Sequence, residues 1–330
     1  MKLLKLQLEN LRGVPDGTYP FLHPARGNPH DLVLITGGSG SGKTSLLGAI
    51  ATVKELVGGY GPPPDVARLR RSGTTTGSIV ATWQLSEQEA TRSEIRGDSL
   101  VTEVVLADGP TPLFDAPVRS LFAGFSTDVS RGKFELFPAS RRISLAPAAP
   151  GRPSGFTEPR HRLSSEPSKY HGARAALVEM VVSAAMRAAE RLGARGVITR
   201  WEEPDAFAAI KRSVEGLAPW LRFTGVQQDE RGARVCFQRD SGAEVELADL
   251  SESEQQALLF AVVFDRLGLS RSIVLIDTPE LFLPPDEHAS FLRTLAGLGA
   301  DNQIFAATTS PALLEMVSPT QIIRLGTKGK

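Results

Sequence analysis

Hydrophobic and polar positions alternate at the start of the chain, where polar residues separate the leucines of residues 4–8. This period of two predicts a half-buried β-strand. A short apolar run over 31–36 predicts a second, buried strand, and the Gly/Ser-rich residues 37–44 predict a loop after it. The spacing of apolar residues from Thr44 to about Val57 then predicts a helix.

The middle of the chain combines β-type and helical patterns. Three strand-like segments lie at 78–84, 100–107 and 133–137. Because long polar connections separate them, they predict an antiparallel β arm rather than parallel units. Residues 145–168 contain five prolines and predict an exposed loop or linker. Apolar spacing predicts helices at about 170–192 and 205–217, so we expect a helical subdomain over about 155–220.

The last third of the chain alternates strands with helices. Strand-like segments lie at 221–226, 233–238, 243–247, 272–277, 303–308 and 321–325. Helical patterns lie at about 252–267 and 286–297, and a short helix is expected before the last strand. The alternation after residue 250 predicts a parallel sheet covered by helices, and therefore an α/β fold.

Composition and charge narrow the class of protein. The chain has 330 residues, of which 41% are hydrophobic, and its 37 basic and 37 acidic residues give no net charge. This balance argues against a basic protein that coats nucleic acid. The single cysteine, Cys236, excludes an intrachain disulfide or a cysteine zinc cluster and suits a reducing cytosol. Neither a signal peptide nor an apolar run of about 18 residues is visible, so we expect a cytoplasmic protein without a membrane contact.

Charge is nevertheless distributed unevenly along the chain. Residues 131–175 carry nine basic and three acidic side chains, whereas residues 242–330 carry six basic and twelve acidic ones. The basic segment is either a solvated insert or a contact with the phosphate backbone of DNA or RNA. Arg141 and Arg142 could accordingly contact phosphate, or only solvate a loop.

The Gly/Ser-rich loop matches the phosphate-binding pattern G-x-x-x-x-G-K-[ST], with a strand before it and a helix after it. Small residues let backbone N–H groups surround a phosphate, and the helix directs its positive end at the same anion. Lys43 should reach the β- and γ-phosphates of ATP, and the Thr44 hydroxyl should bind Mg²⁺. The expected nucleotide-binding residues here are Gly37, Gly38, Ser39, Gly40, Ser41, Gly42, Lys43, Thr44 and Ser45. The alternative is a glycine-rich turn without a ligand.

A second metal-binding carboxylate is expected where the apolar strand 273–277 ends in Asp277. The C-terminal end of this strand should lie beside Thr44 at one edge of the parallel sheet. Asp277 is therefore the expected Walker B partner for Mg²⁺. The alternative is an aspartate that begins a turn before Pro279.

Residues 250–256, Leu-Ser-Glu-Ser-Glu-Gln-Gln, open a predicted helix. Ser251 and Glu254 have the spacing of a capping box, which is the simpler interpretation. The segment also resembles the L-S-x-G-E/Q signature of ABC-type ATPase heads, which lies about 25 residues before the metal-binding aspartate. This resemblance implies that Ser251, Ser253 and Glu254 contact the γ-phosphate of ATP held by an opposite subunit.

Further segments are similar to the RecF/SMC-like group of these heads, and most of all to small RecF-like and OLD-like ATPases. They are the Leu-Glu-Asn-Leu-Arg-Gly segment ending at Gly13, Pro-Ala-Ser-Arg at 138–141, Asp-Thr-Pro-Glu at 277–280 and Ala-Thr-Thr-Ser-Pro at 307–311. The resemblance implies that Asn10 and Arg12 line the adenine or ribose side of the site; the alternative is an edge strand with one exposed arginine.

The resemblance also implies an architecture and partners. We expect one ABC-type head, with residues 1–154 and 221–330 forming the nucleotide-binding core and β arm, and a mixed sheet around the phosphate loop. ATP and Mg²⁺ are the implied ligands, and a head-to-head homodimer enclosing ATP is the implied assembly. Many such proteins serve DNA repair or phage defence beside a nuclease, and we expect any such effector to be a separate chain.

Three positions depart from the family pattern. Ser253 replaces the signature glycine, Thr278 replaces the carboxylate that polarises the attacking water, and Thr309 replaces the switch histidine. A threonine cannot act as a general base, and such a base contributes roughly 10²–10⁴ in rate. Glu280 is the nearest spare carboxylate; it is either a replacement base or a cap for the following turn.

Three classes of function follow from these patterns. The chain is a slow or partner-dependent ATPase, or a nucleotide-gated scaffold that binds ATP and does not hydrolyse it. A small-molecule kinase using the same loop is the third class, but it would leave residues 250–256 and 305–311 without a role.

Overall fold

The computed structural model describes residues 1–58, 66–108, 114–127, 131–144, 167–180, 207–229 and 232–326. Twelve strands in these ranges form three sheets. The strands are β1 (Lys2–Glu9), β2 (Gly17–Pro20), β3 (Leu32–Thr36), β4 (Ser78–Gln84), β5 (Ser99–Val105), β6 (Phe134–Phe137), β7 (Leu221–Asp229), β8 (Gly232–Arg239), β9 (Glu244–Glu246), β10 (Ile273–Asp277), β11 (Gln303–Thr308) and β12 (Ile322–Arg324).

Helices cover the sheets on both sides. They are α1 (Lys43–Gly58), α2 (Val66–Leu69), α3 (Glu87–Arg92), α4 (Ala116–Thr127), α5 (173–180), α6 (Ala208–Leu217), α7 (Glu252–Leu267), α8 (His288–Ala296) and α9 (Pro311–Glu315). The expected helices after residues 44, 205, 252 and 286 are therefore present. Of the helical subdomain expected over 155–220, only 167–180 and 207–220 lie within the described residues.

The central sheet has five strands in the order β12-β3-β11-β10-β6, and every pair in it is parallel. The expectation of a mixed sheet around the phosphate loop is therefore wrong. Strands buried on both faces are near-continuous apolar runs, and β10, β11 and β6 are buried along their whole lengths. Parallel strands place the residues that follow β3, β10 and β11 together at one edge of the sheet.

An antiparallel arm stands beside the central sheet, with its strands in the order β2-β1-β4-β5. The expected arm strands 78–84 and 100–107 are confirmed. The third expected arm strand, 133–137, is instead β6 and pairs in parallel with β10. The physical reason is its burial: all four residues of Phe134–Phe137 are buried, including Glu135, whose charge is paired with Lys169, so the strand is covered on both faces as strands of a parallel sheet are.

The two faces of the central sheet support two separate hydrophobic cores. Val33 and Ile35 of β3 pack with α1, α4 and the arm, whereas Leu34 packs with α6, α7, α8 and the third sheet. This alternation follows from the period of two in a strand. The third sheet, β7-β8-β9, is antiparallel and lies on the α7 side.

One buried side chain joins the arm to the central sheet. The Gln303 amide accepts a hydrogen bond from the Leu3 N–H and donates to the carbonyls of Leu3 and His30. The arm is thereby attached next to β11, at the sheet edge opposite the phosphate loop. Among the described helices, each is too short or too polar to cross a bilayer.

Candidate functional site

The phosphate loop lies at the C-terminal edge of the central sheet, between β3 and α1, as expected. Gly42 has φ 98°, and a Cβ there would lie 2.0 Å from the Gly13 carbonyl oxygen. Gly37 has φ 156°, and its Cβ would lie 2.5 Å from the Leu325 carbonyl oxygen. Only glycine allows these approaches, so the loop is held against two neighbouring segments while Gly38, Ser39 and Gly40 stay exposed.

Lys43, the first residue of α1, folds back over the loop. Its Nζ donates hydrogen bonds of 2.8 Å to the Gly37 carbonyl and 3.0 Å to the Gly38 carbonyl. The ammonium is therefore held above the loop, beside the N–H groups of the first turn of α1. A phosphate placed there would replace neutral carbonyls with a charged acceptor, which makes stronger hydrogen bonds.

Thr44 and Asp277 meet at the sheet edge, as their positions in the sequence predicted. The Thr44 hydroxyl donates a hydrogen bond of 2.8 Å to Asp277 Oδ2. A hydroxyl and a carboxylate side by side are oxygen ligands of the kind Mg²⁺ takes, with phosphate oxygens and water completing its shell. Within the described residues no three His, Cys, Asp or Glu side chains form a metal cluster. The fit to Mg²⁺ therefore rests on this pair.

Asn10 and Arg12 occupy the turn after β1, which packs against the loop through Gly13. Asn10 has φ 52°, and its side-chain amide donates to the Thr76 carbonyl at 3.1 Å. Asparagine tolerates this left-handed conformation better than most residues, which accounts for its position without a ligand. The Arg12 side chain is exposed one residue before the Gly13 contact.

The signature-like segment forms the N-terminus of α7 and contains the expected capping box. Ser251 Oγ accepts the Glu254 N–H, and Glu254 Oε2 accepts the Ser251 N–H at 2.8 Å. Glu254 is buried and forms an ion pair of 2.9 Å with Arg239 of β8. Burial acts to raise the pKa of Glu254, but hydrogen bonds from Arg239 and Ser251 outweigh it and hold the pKa below its ordinary value.

These contacts give Glu254 a role within its own chain. Its carboxylate accepts hydrogen bonds from Arg239 and from Ser251, and an ionised carboxylate has no hydrogen to donate to a phosphate oxygen. Ser251 is exposed and Ser253 half-buried at the helix start. The hydroxyls of these two serines, 3.1 Å apart, are the groups that this helix end presents outward.

Thr278, at the position of the missing carboxylate, has a strained backbone. Its φ is 55°, a conformation that costs roughly 1–3 kcal/mol and is a true outlier for a β-branched residue. The Thr278 N–H donates to the Ala307 carbonyl at 2.9 Å, and the Thr278 carbonyl accepts from Arg141 at 2.8 Å. The turn after β10 is thus held from both sides.

Glu280 lies against the switch-like segment after β11. Its Oε1 accepts hydrogen bonds from Thr308 Oγ1 and from the Thr309 N–H at 3.2 Å. Its Oε2 is buried and has no hydrogen-bond partner among the described residues. Because an unpaired buried carboxylate oxygen is costly, this atom suits a water molecule or a ligand group. The Thr309 side chain itself is exposed.

Arg141 is not at the surface, contrary to the expectation that it contacts phosphate or solvates a loop. It is 1% exposed, and its guanidinium binds the carbonyls of Pro138, Asp277 and Thr278 and the side chain of Gln256. Sequence reasoning missed this role because charge alone predicts an exposed arginine. The Pro-Ala-Ser-Arg segment directly after a buried strand was the available signal.

The basic segment 131–175 also departs from a nucleic-acid surface where the structure describes it. Lys133 is buried, and Lys169 forms a buried ion pair of 2.8 Å with Glu135. Arg142 is exposed. Three of the six basic side chains described in this segment, those of Lys133, Arg141 and Lys169, are therefore enclosed by the protein. Arg152, Arg160 and Arg162 lie outside the described residues.

A cleft of about 210 Å³ runs from the Thr44–Asp277 pair along one side of α1. Its lining is mostly apolar and includes Glu55, three turns along the helix from Thr44. Burial raises the pKa of Glu55 to about 7, although the positive charge of Lys169 acts in the opposite direction. This cleft and its carboxyl group were not predicted from the sequence.

His288 is the second functional candidate that sequence reasoning passed over. Its Nδ1 lies 2.8 Å from Ser310 Oγ, and its Nε2 lies 3.0 Å from the Leu283 carbonyl oxygen. The ring thus joins the segment after β10 to the segment after β11. Nothing in the spacing of the five histidines indicated this bridge, because the two segments meet only in the folded chain.

Comparison with known proteins supports the fold. No family model matches the chain, and no curated relative matches it. Among solved structures, it is similar to an SMC head bound to the C-winged helix domain of ScpA, at 12% identity and a TM-score of 0.55 over 96% of this chain and 93% of that one. It is also similar to an SMC head with an extended coiled coil bound to the C-terminal domain of ScpA from Pyrococcus furiosus, at 12% identity and a TM-score of 0.52 over 96% and 91%.

These similarities establish the fold of the chain as the α/β fold of SMC heads. The chain has this fold, with its phosphate loop, an antiparallel β arm and helices on both faces of a parallel sheet. At 12% identity the likeness concerns the fold, and the activity of this chain has to be argued from its own site.

Proposed function

We propose that the protein is an ATP-binding ABC-type head that dimerises around ATP·Mg²⁺. The observation that carries this proposal is the assembly of Lys43, Thr44 and Asp277 at one sheet edge, with Thr44 and Asp277 in direct contact. A chance glycine-rich turn would not require a hydroxyl and a carboxylate from residues 233 positions apart to converge beside it.

The residues proposed to hold the nucleotide are those of the loop and its neighbours. Backbone N–H groups of residues 38–45 would receive the phosphates, and Lys43 would exchange its carbonyl partners for phosphate oxygens. Arg12 would contact the nucleoside side from the adjoining turn. Bound Mg²⁺ would neutralise phosphate charge, with Thr44 and Asp277 as its protein ligands.

The proposed assembly is a sandwich of two heads, with ATP in the interface. The start of α7 presents Ser251 and Ser253 and the N–H groups of its first turn outward. A helix start attracts anions, and it would face the phosphates held by the other head. We place Ser251 and Ser253 at this contact and assign Glu254 to holding the helix start in position.

Hydrolysis should be slow. Thr278 cannot accept a proton from water, and Thr309 cannot replace a histidine in this respect. Glu280 is the proposed base, because its buried Oε2 is the one oxygen of that carboxylate left without a partner among the described residues. A second candidate function is a nucleotide-gated scaffold without turnover, which is favoured by the engagement of Glu280 Oε1 with Thr308 and Thr309.

The biological setting is proposed from the resemblance to RecF-like and OLD-like ATPases. The protein would act in the cytoplasm in DNA repair or phage defence, and ATP-driven closure would control a separate effector such as a nuclease. A contact with DNA or RNA would then use the exposed Arg142 and the residues of 131–175 outside the described ranges, since Lys133, Arg141 and Lys169 are enclosed by the protein.

The deciding experiment measures mass by light scattering with no nucleotide, with ADP·Mg²⁺ and with ATP·Mg²⁺. Ligand that binds only the closed dimer stabilises it by mass action, so a dimer is expected with ATP alone. The same mass in all three states would refute nucleotide-gated dimerisation. Release of phosphate in the same samples separates an ATPase from a scaffold.

A further inference from the structure

Arg141 connects two parts of the head that the proposed function assigns to different nucleotides. Asp277 belongs to the site that holds this chain's own ATP, whereas α7 would contact the ATP of the partner. We propose that Arg141 is a positioning residue that transmits occupancy of the phosphate loop to α7 of the same head. The inference rests on the proposed function and adds a route of regulation to it.

On the side of the nucleotide site, Arg141 holds the backbone after β10. Its Nη1 donates a hydrogen bond of 2.7 Å to the Asp277 carbonyl, and its Nη2 donates one of 2.8 Å to the Thr278 carbonyl. A guanidinium is a planar, rigid fork, so two consecutive carbonyls determine its orientation. Any shift of Asp277 toward a ligand would therefore rotate or displace the fork.

On the side of α7, the same guanidinium is held by two residues one helical turn apart. Arg141 Nε donates to Gln256 Oε1, and Gln256 Nε2 donates back to the Arg141 carbonyl at 3.2 Å. The ring of Phe260 lies 5.1 Å from the guanidinium carbon. Gln256 and Phe260 are four residues apart and share one face of α7, so a movement of the guanidinium would act on both residues together.

Burial makes these contacts act together. Burial lowers the pKa of Arg141 to about 10, with Tyr170, Asp277 and Glu280 opposing the shift, so the side chain remains charged near pH 7. A buried charge that loses a partner is strongly destabilised. The guanidinium should therefore keep all its partners and move with them. If Arg141 were only a structural brace, it would make the same contacts, but ATP binding to the phosphate loop would leave hydrogen exchange in α7 unchanged.

The test uses a head that cannot form the sandwich. Ser253→Arg puts bulk and charge at the proposed contact and leaves the cap between Ser251 and Glu254 intact, so ATP can occupy only the chain's own loop. Hydrogen exchange is measured with and without a non-hydrolysable ATP analogue and Mg²⁺. We expect slower exchange over 37–47 and a several-fold change over 252–260, which lies on the other side of Arg141.

Three variants in this background identify the route. Arg141→Lys keeps the charge and loses the fork, whereas Gln256→Leu removes the hydrogen bonds to α7 and leaves the Phe260 ring and the carbonyl contacts in place. Arg142→Lys, at the exposed neighbouring position, is the matched control. The response over 252–260 should disappear in the first two variants and persist in the control, while protection of the loop persists in all three.

Two results would overturn the inference. One is a response over 252–260 that survives Arg141→Lys and Gln256→Leu; the other is no response there in the Ser253→Arg background although the loop is protected. If the analogue fails to protect the loop at all, the proposed ATP binding is itself wrong. If circular dichroism shows that Arg141→Lys does not fold, Gln256→Leu alone tests the route, because this variant keeps the buried cation and its three carbonyl partners.

Discussion

Thr44 and Asp277 are joined by a hydrogen bond of 2.8 Å although 233 positions separate them in the chain. One is the second residue of α1 and the other is the last residue of β10. Their contact brings the phosphate loop after β3 and the end of β10, two strands away in the central sheet, into one site. Predictions about nucleotide binding therefore concern this edge of the sheet.

Lys43→Ala should abolish measurable ATP binding without unfolding the protein. Lys43 is half-buried at the loop, outside both hydrophobic cores, and hydrogen bonds to charged groups contribute about 1.5–3 kcal/mol each. Binding of a fluorescent ATP analogue and thermal unfolding would be measured together. Lys5→Ala, on the arm, is the matched control. An unchanged affinity in a folded Lys43→Ala protein would remove the phosphate-loop assignment.

Ser253→Arg should prevent the ATP-driven dimer while each head still binds ATP. Ser253 is half-buried at the start of α7 and lies outside the hydrophobic cores, and the capping box between Ser251 and Glu254 does not need its side chain. Light scattering with ATP·Mg²⁺ should give the monomer mass at concentrations where the unmodified protein dimerises. Glu252→Gln, at the neighbouring exposed position, serves for comparison. A dimer of normal affinity in Ser253→Arg would place the interface elsewhere.

Thr278→Glu should raise the rate of ATP hydrolysis by roughly 10²–10⁴, the usual contribution of a positioned base. It also removes a β-branched side chain from a backbone with φ 55°, so it should not destabilise the turn. Phosphate release is compared with that of Thr278→Gln, which matches it in size and lacks the carboxylate. Equal rates of phosphate release in Thr278→Glu and Thr278→Gln, both alone and with Thr309→His added, would mean that the base does not act from position 278.

Glu280→Gln tests whether Glu280 is the base for any residual ATP hydrolysis or has only a structural role. The amide oxygen can still accept from Thr308 and Thr309, so the fold should persist, but the carboxylate is lost. If Glu280 is the base, hydrolysis should fall by roughly 10²–10⁴ with ATP binding unchanged. Turnover equal to that of the unmodified protein would assign Glu280 a purely structural role.

Glu55 should make the stability of the protein depend on pH. Its pKa rises from an ordinary value of 4.5 to about 7 in the folded state, so the unfolded chain loses this proton first as pH rises. Stability from this group is therefore present below about pH 4.5 and is lost progressively up to about pH 7. The loss is on the order of 3–4 kcal/mol.

Urea unfolding of Glu55→Gln and of the unmodified protein between pH 4.5 and pH 8 measures this effect. The variant should be the more stable of the two at pH 8, and the difference should vanish toward pH 4.5. Glu94→Gln, at an exposed position of the arm, is the control without an expected difference. A constant difference across the pH range would mean that Glu55 is not titrating in the folded state.

Local patterns predicted the elements and the main chemical groups. The period of two in β1, the apolar run of β10 and the spacing in α7 come from side chains close in sequence, and so do the phosphate loop and the cap at Ser251. Because such local patterns do not show which strands pair, residues 133–137 were assigned to the wrong sheet. Which sheet a strand joins depends on the strand that its backbone pairs with, and Phe134–Phe137 pairs in parallel with β10, more than 130 residues later.

The loop motif and its ligand types were therefore determined by adjacent residues, since backbone conformation and helix polarity are local properties. The partners of Arg141, Glu280 and Glu55 were decided by the tertiary structure. A charged side chain is expected in water until folding surrounds it, and the carbonyls that hold Arg141 come from a strand end 136 positions away. Packing of α7 and β10 against one another, rather than any motif, makes that arginine part of the site.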